Sequence, residues 1–234
     1  MQQNLQRTFP QLEQKLSGFH LLEQSTLTPS GAPWEWMLTE NPDELRLTLD
    51  VPTTEVPEHL QKYVHGERDC WLSFRENFAG ATFKVYRRFH PHDPDPLQDP
   101  RFIARLVGFD GHSSPEVYYT LKGPSPALLH HVLQRSGSSH LLPLFYDEVT
   151  LLTGQDSRTF LQARKLGVSV REDVVTLYVQ VHGLALSARS ISQLLGETVL
   201  DQWRHSGLVL EPALAVWVFR GNHVQHALGL APEF

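Results

Sequence analysis

Cysteine is almost missing: Cys70 is the only one in 234 residues. That excludes an intramolecular disulfide framework and any zinc site built from several thiolates, and it predicts a chain that folds in the cytoplasm. No stretch approaches the roughly 18 consecutive apolar residues of a membrane helix, so no membrane partner is expected. The first helix segment, Leu5–Leu16, interleaves its apolar positions with Gln, Arg, Glu and Lys and lacks the apolar core of a signal peptide. Asn4, Asn41, Asn77 and Asn222 all lack Ser or Thr two positions on, which removes any N-glycosylation acceptor. Secretion is therefore not expected.

The signatures of familiar nucleotide and hydrolytic sites are missing too. There is no Gly-x-x-x-x-Gly-Lys-Ser/Thr, no Gly-x-Gly-x-x-Gly, no His-Glu-x-x-His, no Gly-x-Ser-x-Gly and no Cys-x-x-Cys. No cofactor is expected on this basis, and the reading leans away from an enzyme. Positive charge is in short supply as well. The net charge of −6 argues against a chain-wide field of the kind that holds nucleic acid.

What is present is patterning. The stretch from His90 to Pro100 carries Pro91, Pro94, Pro96 and Pro100, which forbid helix and remove ladder donors, so it reads as an exposed connector. Before it, Trp34, Trp36 and Leu38 share one strand face, and Leu45, Leu47, Leu49 and Val51 share another across the turn Asn41-Pro42-Asp43. A hairpin of Cys70–Glu76 and Ala81–Phe89 follows. Beyond the connector, helix segments at 125–135, 156–166 and 188–205 alternate with β-rich runs at 115–122, 139–152, 173–182 and 208–219. Glycine closes several helix segments, at Gly18, Gly66, Gly137, Gly167 and Gly207, where a left-handed residue ends a helix without Cβ strain. The expected fold is α+β, with antiparallel or mixed sheets and amphipathic helices in two subdomains. Residues 1–90 form a helix plus antiparallel sheet, 91–100 the Pro-rich connector, and 101–234 an α+β subdomain.

Chemistry-bearing residues concentrate on the hairpin. Alternation puts Lys84, Tyr86 and Arg88 on one face of the second strand and Phe83, Val85 and Phe89 on the other. The first strand adds Trp71 and Arg75 to the polar face and Cys70, Leu72 and Phe74 to the apolar one. An exposed face of Trp71, Arg75, Lys84, Tyr86 and Arg88 would suit a partner protein, where Trp, Tyr and Arg are common anchors. It would equally suit a single-stranded nucleic acid, held by charge and base stacking. A second basic set, Arg189, Arg204 and Arg220, falls in 187–220, whose helix–helix–hairpin order outlines a winged helix. His90, His92 and Asp93 bring metal-ligand types close together, which would serve a metal-dependent hydrolase. The leading expectation is a non-enzymatic binding or regulatory protein acting through the aromatic and basic surface, with nucleic-acid binding and metal-dependent hydrolysis as the alternatives. The oligomeric state is not selected.

Overall fold

The computed structural model describes residues 34–41, 44–77, 80–205 and 210–232. The segment Leu5–Leu16 and the glycines Gly18 and Gly207 lie outside them. The described residues form the strands β1 (Trp34–Thr39), β2 (Leu45–Pro52), β3 (Asp69–Asn77), β4 (Gly80–Arg88), β5 (Ile103–Phe109), β6 (Glu116–Lys122), β7 (Lys165–Arg171), β8 (Val174–Gln180), β9 (Leu210–Arg220) and β10 (His223–Pro232). Each pairs antiparallel with its sequence neighbour, and β1 also pairs with β10, so the sheet closes into a barrel.

That corrects the expected α+β arrangement of two subdomains on separate sheets. β4 and β5, on either side of the Pro-rich stretch, are hydrogen-bonded neighbours, with Tyr86 opposite Gly108 and Arg88 opposite Leu106. Alternation identifies the two faces of each strand, but it does not say that the last strand returns to the first. The strands β5 and β10 went unread because Gly108 and Gly229 interrupt the β-branched and aromatic pattern that marks a strand.

At one barrel end the connections are short turns, such as Gly221-Asn222 between β9 and β10. At the other end they carry the helices α1 (Glu58–Gln61), α2 (Pro126–Gln134), α3 (Leu142–Thr153), α4 (Ser157–Gln162), α5 (Ala188–Leu195) and α6 (Glu197–His205). Their starts follow local chemistry: Ser125, Asp156 and Ser187 each accept a hydrogen bond from a backbone N–H in the first turn of α2, α4 and α5. The run 139–152 is helical rather than β. Its buried residues Leu142, Phe145, Val149 and Leu152 fall at helical spacing, and Pro143 sits in the first turn, where its missing N–H costs nothing. The winged-helix outline also fails. α5 and α6 lead into β9, which lies inside the barrel between β8 and β10.

The main apolar core lies outside the barrel. Leu72, Phe74, Val85, Leu177, Trp217 and Phe219 on the outer strand faces pack with Leu129, Leu133, Phe145, Val149, Ile191 and Leu194 from the helices. Phe145 stands edge-on to Trp217 at 5.1 Å and to Phe219 at 6.3 Å between ring centroids.

One polar clamp crosses this layer. His226 on the outer face of β10 meets Glu40 through Nδ1 at 2.5 Å and Glu148 of α3 through Nε2 at 3.0 Å, while Trp217 Nε1 donates to Glu148 at 2.8 Å. Burial alone would lower the His226 pKa, but the hydrogen bonds and charges of Glu148 and Glu40 raise it above the ordinary 6.5. A raised folded-state pKa means stability that is fully present below the unfolded value and lost as pH climbs through the folded one. In urea titrations, wild type should therefore lose more stability than His226→Gln on going from pH 6 to pH 9. Equal losses would show that the clamp is not charged in the folded protein.

Candidate active site

The side chains that alternate with the outer core point into the barrel, where they line a cavity of about 1810 Å³. That is well beyond the roughly 300–1,000 Å³ that encloses one small ligand, so the lumen has room for two. Register places the lining in rows. Glu35, Thr48, Ser73 and Lys84 lie side by side on β1 to β4. Tyr118, Ser169 and Thr176 continue around β6 to β8, and Gly167, Tyr178, Val216 and Ala227 run from β7 to β10.

The two walls differ in character. On β9, β10 and β1 the lumen is apolar, formed by Leu214, Val216 and Ala227 with Met37 and Val218 packed on them. Opposite, tyrosines surround a lysine. Lys84 Nζ lies 5.0 Å from the centroid of the Tyr86 ring and 5.8 Å from that of Tyr118. Tyr86 and Tyr118 meet edge-on at 5.3 Å, Tyr118 and Tyr178 are tilted to each other at 5.8 Å, and Trp71 stands edge-on to Tyr86 at 6.3 Å. Trp71 Nε1 is buried without a hydrogen-bond acceptor among the described residues.

Glycines make the aromatic wall possible. A Cβ on Gly108 would come within 2.7 Å of the Tyr86 ring and 2.8 Å of Lys84 Cε, and one on Gly167 would come within 3.0 Å of Tyr178 Cβ. The Tyr86 ring and the Lys84 stem pass close over backbone where a Cβ would collide with them. Gly167, expected to close a helix, is thus a strand residue of β7.

Electrostatics fix the charges of this wall. Lys84 pairs with Glu116, to which Ser169 also donates, and Ser169 Oγ lies 3.2 Å from the Tyr178 hydroxyl. Burial would depress the Lys84 ammonium, but Tyr86 and Glu116 hold its pKa above the usual lysine value. Burial would raise Glu116, but the Lys84 charge and the hydrogen bonds of Lys84, Ser169 and Tyr118 hold it lowered. Burial and the neighbouring Glu116 push Tyr118 well above an ordinary tyrosine, so its hydroxyl stays neutral. At the turn end Arg171 meets Asp110 at 3.3 Å, Arg220 meets Asp173 at 3.0 Å, and Arg75 meets Glu44 at 2.6 Å. Although partial burial would raise Asp110, hydrogen bonds from Ser113 and His112 and the Lys84 charge hold its pKa at about 2.

The hairpin face of Trp71, Arg75, Lys84, Tyr86 and Arg88 is real as a face, but it lines the lumen instead of the outer surface. Its apolar counterpart, with Leu72, Phe74 and Val85, turns outward to the helices. Of the second basic set, Arg220 sits at the lumen mouth, Arg204 pairs with Asp201 on the exposed side of α6, and Arg189 is exposed at the start of α5. They do not come together. The His90/His92/Asp93 segment forms no ligand set either: Asp93 takes both guanidinium nitrogens of Arg87, at 2.7 and 2.6 Å, and His90 Nε2 meets Glu67 at 2.6 Å. Among the described residues no three His, Cys, Asp or Glu are placed to hold a metal ion. Sequence reasoning missed Glu35, Glu116, Tyr118, Ser169, Arg171 and Tyr178. The signal was there in Glu116-x-Tyr118-x-Thr120 and Thr176-x-Tyr178-x-Gln180, which repeat the period-2 polar and aromatic alternation of Lys84-x-Tyr86-x-Arg88.

No protein-family model matches the sequence, and no curated protein matches it. Solved structures do match. 6-Dimethylallyltryptophan synthase from Micromonospora olivasterospora, in complex with DMASPP and Trp, superposes with a TM-score of 0.68 at 11% identity, over 98% of this chain and 95% of that one. The fold is that of the prenyltransferase barrel. Prenyltransferase PriB in its apo form matches with a TM-score of 0.61 at 13% identity, over 88% and 82% of the two chains. NotF in complex with brevianamide F and DMSPP gives 0.62 at 11%, over 90% and 83%. The expectation of a non-enzymatic regulatory or protein-binding surface, with DNA or RNA binding as its alternative, is overturned on two counts. The neighbours of this barrel are enzymes, and the residues that suggested a binding surface face inward. Among the described residues of this prenyltransferase-type barrel, no helix is long and apolar enough to cross a membrane.

Proposed function

We propose that the protein is an aromatic prenyltransferase, moving an allylic isoprenyl group from its diphosphate to an electron-rich ring such as an indole. The observation that carries this reading is the wall on which a fixed ammonium, Lys84, is ringed by Tyr86, Tyr118 and Tyr178 inside a cavity large enough for both substrates. The ligands held by the structural neighbours support the same pairing: DMASPP with Trp in one, DMSPP with brevianamide F in another, and product diphosphate in PriB.

Each step maps onto residues of this chain. Lys84, with Arg171 three strands further round, draws the diphosphate to the tyrosine wall. The allylic C–O bond breaks and its electron pair leaves on the diphosphate. Positive charge spreads over the allyl group, and the negative faces of the tyrosine rings stabilise it where water would otherwise capture it. The apolar wall of Met37, Leu214 and Val216 seats hydrocarbon. A carbon of the acceptor ring supplies the π pair for the new C–C bond, and the ring then loses its proton. Glu35 is the carboxylate placed for that end of the reaction: it is buried on β1, three strand spacings from Lys84, about 14 Å along the sheet. There it can accept a hydrogen bond from an indole N–H or the released proton. A cytoplasmic location fits, because the single cysteine is a buried free thiol pushed up to about 12 by burial and by Asp50.

The test is incubation of purified protein with dimethylallyl or geranyl diphosphate and a panel of tryptophan, indole-containing dipeptides and phenols, followed by mass spectrometry and a diphosphate-release assay. A product heavier than its acceptor by one prenyl unit is the expected result. Neither product nor acceptor-dependent diphosphate release with any pair would overturn the reading.

A further inference from the structure

Glu116 sits in the middle of the wall assigned to an anion, which is an unexpected place for a carboxylate. Its neighbours are closely defined. Lys84 from β4, Tyr118 from its own strand, Ser169 from β7 and Tyr178 from β8 face it, and Tyr86, Arg171 and Asp110 stand around Lys84. Lys84 and Ser169 both contact its carboxylate oxygens, and the Tyr118 hydroxyl also hydrogen-bonds to it. Of the two cations in this set, Arg171 is already engaged by Asp110 at 3.3 Å, and Lys84 is engaged by Glu116 itself. The cation that would hold a phosphate is therefore neutralised within the protein.

We infer that Glu116 is an internal counter-ion, which a phosphate entering the lumen displaces from Lys84, and that it takes up a proton as this happens. The inference rests on the lumen being an anion site, as the proposed function requires. The chemistry balances simply. The ligand oxygens take the N–H donors of Lys84, and the buried Glu116 then faces a second negative group with no cation of its own. Two like charges at hydrogen-bond range in a buried site do not both stay ionised, so one proton from solvent moves onto the carboxylate. The neutral carboxyl can then donate to a phosphate oxygen where the charged one would repel it. Burial already works in this direction, and the Lys84 charge with the hydrogen bonds of Lys84, Ser169 and Tyr118 holds Glu116 ionised without ligand.

Calorimetric titration of wild type and Glu116→Gln with inorganic pyrophosphate, in buffers of differing ionisation enthalpy at pH 7, reads the proton count directly. Wild type should take up about one proton more per pyrophosphate than the variant. The variant, whose amide keeps the shape but not the charge, should bind about tenfold more tightly at pH 7 or above. Wild-type affinity should also rise on acidification more steeply than the variant's, with a limiting slope of about tenfold per pH unit for one linked proton. Sulfate, which does not titrate in this range, gives the same count from wild type alone should the variant fail to fold. Binding with equal proton uptake in both proteins, with weaker binding to Glu116→Gln, or with no uptake on sulfate binding to wild type would overturn the counter-ion while leaving the anion site standing. No binding of either anion to either protein would overturn both.

Discussion

Lys84→Met is expected to lower kcat/KM for the proposed prenyl transfer by about 10²–10³-fold, the usual cost of removing one preorganised charge from a site of developing charge. It should also destabilise the fold, because Glu116 then loses its cation in a buried position, and breaking one side of a buried pair costs about 3–5 kcal/mol before the orphan protonates. These two effects are separable. In Lys84→Met/Glu116→Gln no charge is stranded, so the urea midpoint should return most of the way to wild type while turnover stays low. Measuring kcat/KM and the urea midpoint across wild type, both single variants and the double variant decides the matter. If the double variant recovered activity along with stability, Lys84 would be a structural partner of Glu116 and not a group that touches substrate.

The same pair shows what was legible in the sequence. Period-2 alternation located Lys84, Tyr86 and Trp71 on one face of a hairpin and Phe74 and Val85 on the other, and the structure keeps that division. The direction of the faces was inverted. A polar face reads as solvent-exposed by default, yet a closed antiparallel sheet can turn its polar face inward around a cavity and bury its apolar face under helices. Nothing local distinguishes the two, since closure depends on Trp36 pairing with Leu230 at the far end of the chain. Glu116 and Tyr178 were passed over for a related reason. Each strand alone offers one or two polar residues, and only the register across β4, β6, β7 and β8 brings them around Lys84. The helix α3 was misread because the apolar run Leu141–Leu152 is dense enough to match a strand as well as a helix, and only burial on one helical face separates them.

Because the apolar core lies outside the barrel, stability and activity should respond to substitutions on opposite faces of the same strands. Phe145→Ala is the sharpest case. The ring is fully buried between Trp217 and Phe219, and its loss should cost about 3–5 kcal/mol. At about 2–4 °C per kcal/mol for a chain of this length, Tm should fall by roughly 6–20 °C. The proposed prenyl transfer, measured well below the new Tm, should change little, because Trp217 and Phe219 face the helices while the residue between them on β9, Val218, faces the lumen. A Tm within a degree or two of wild type would mean that α3 is not part of the unit that melts with the barrel. A large loss of turnover in protein that is still folded would mean that the outer layer holds Val216 and Val218 in place from behind, and that the two faces of β9 are coupled.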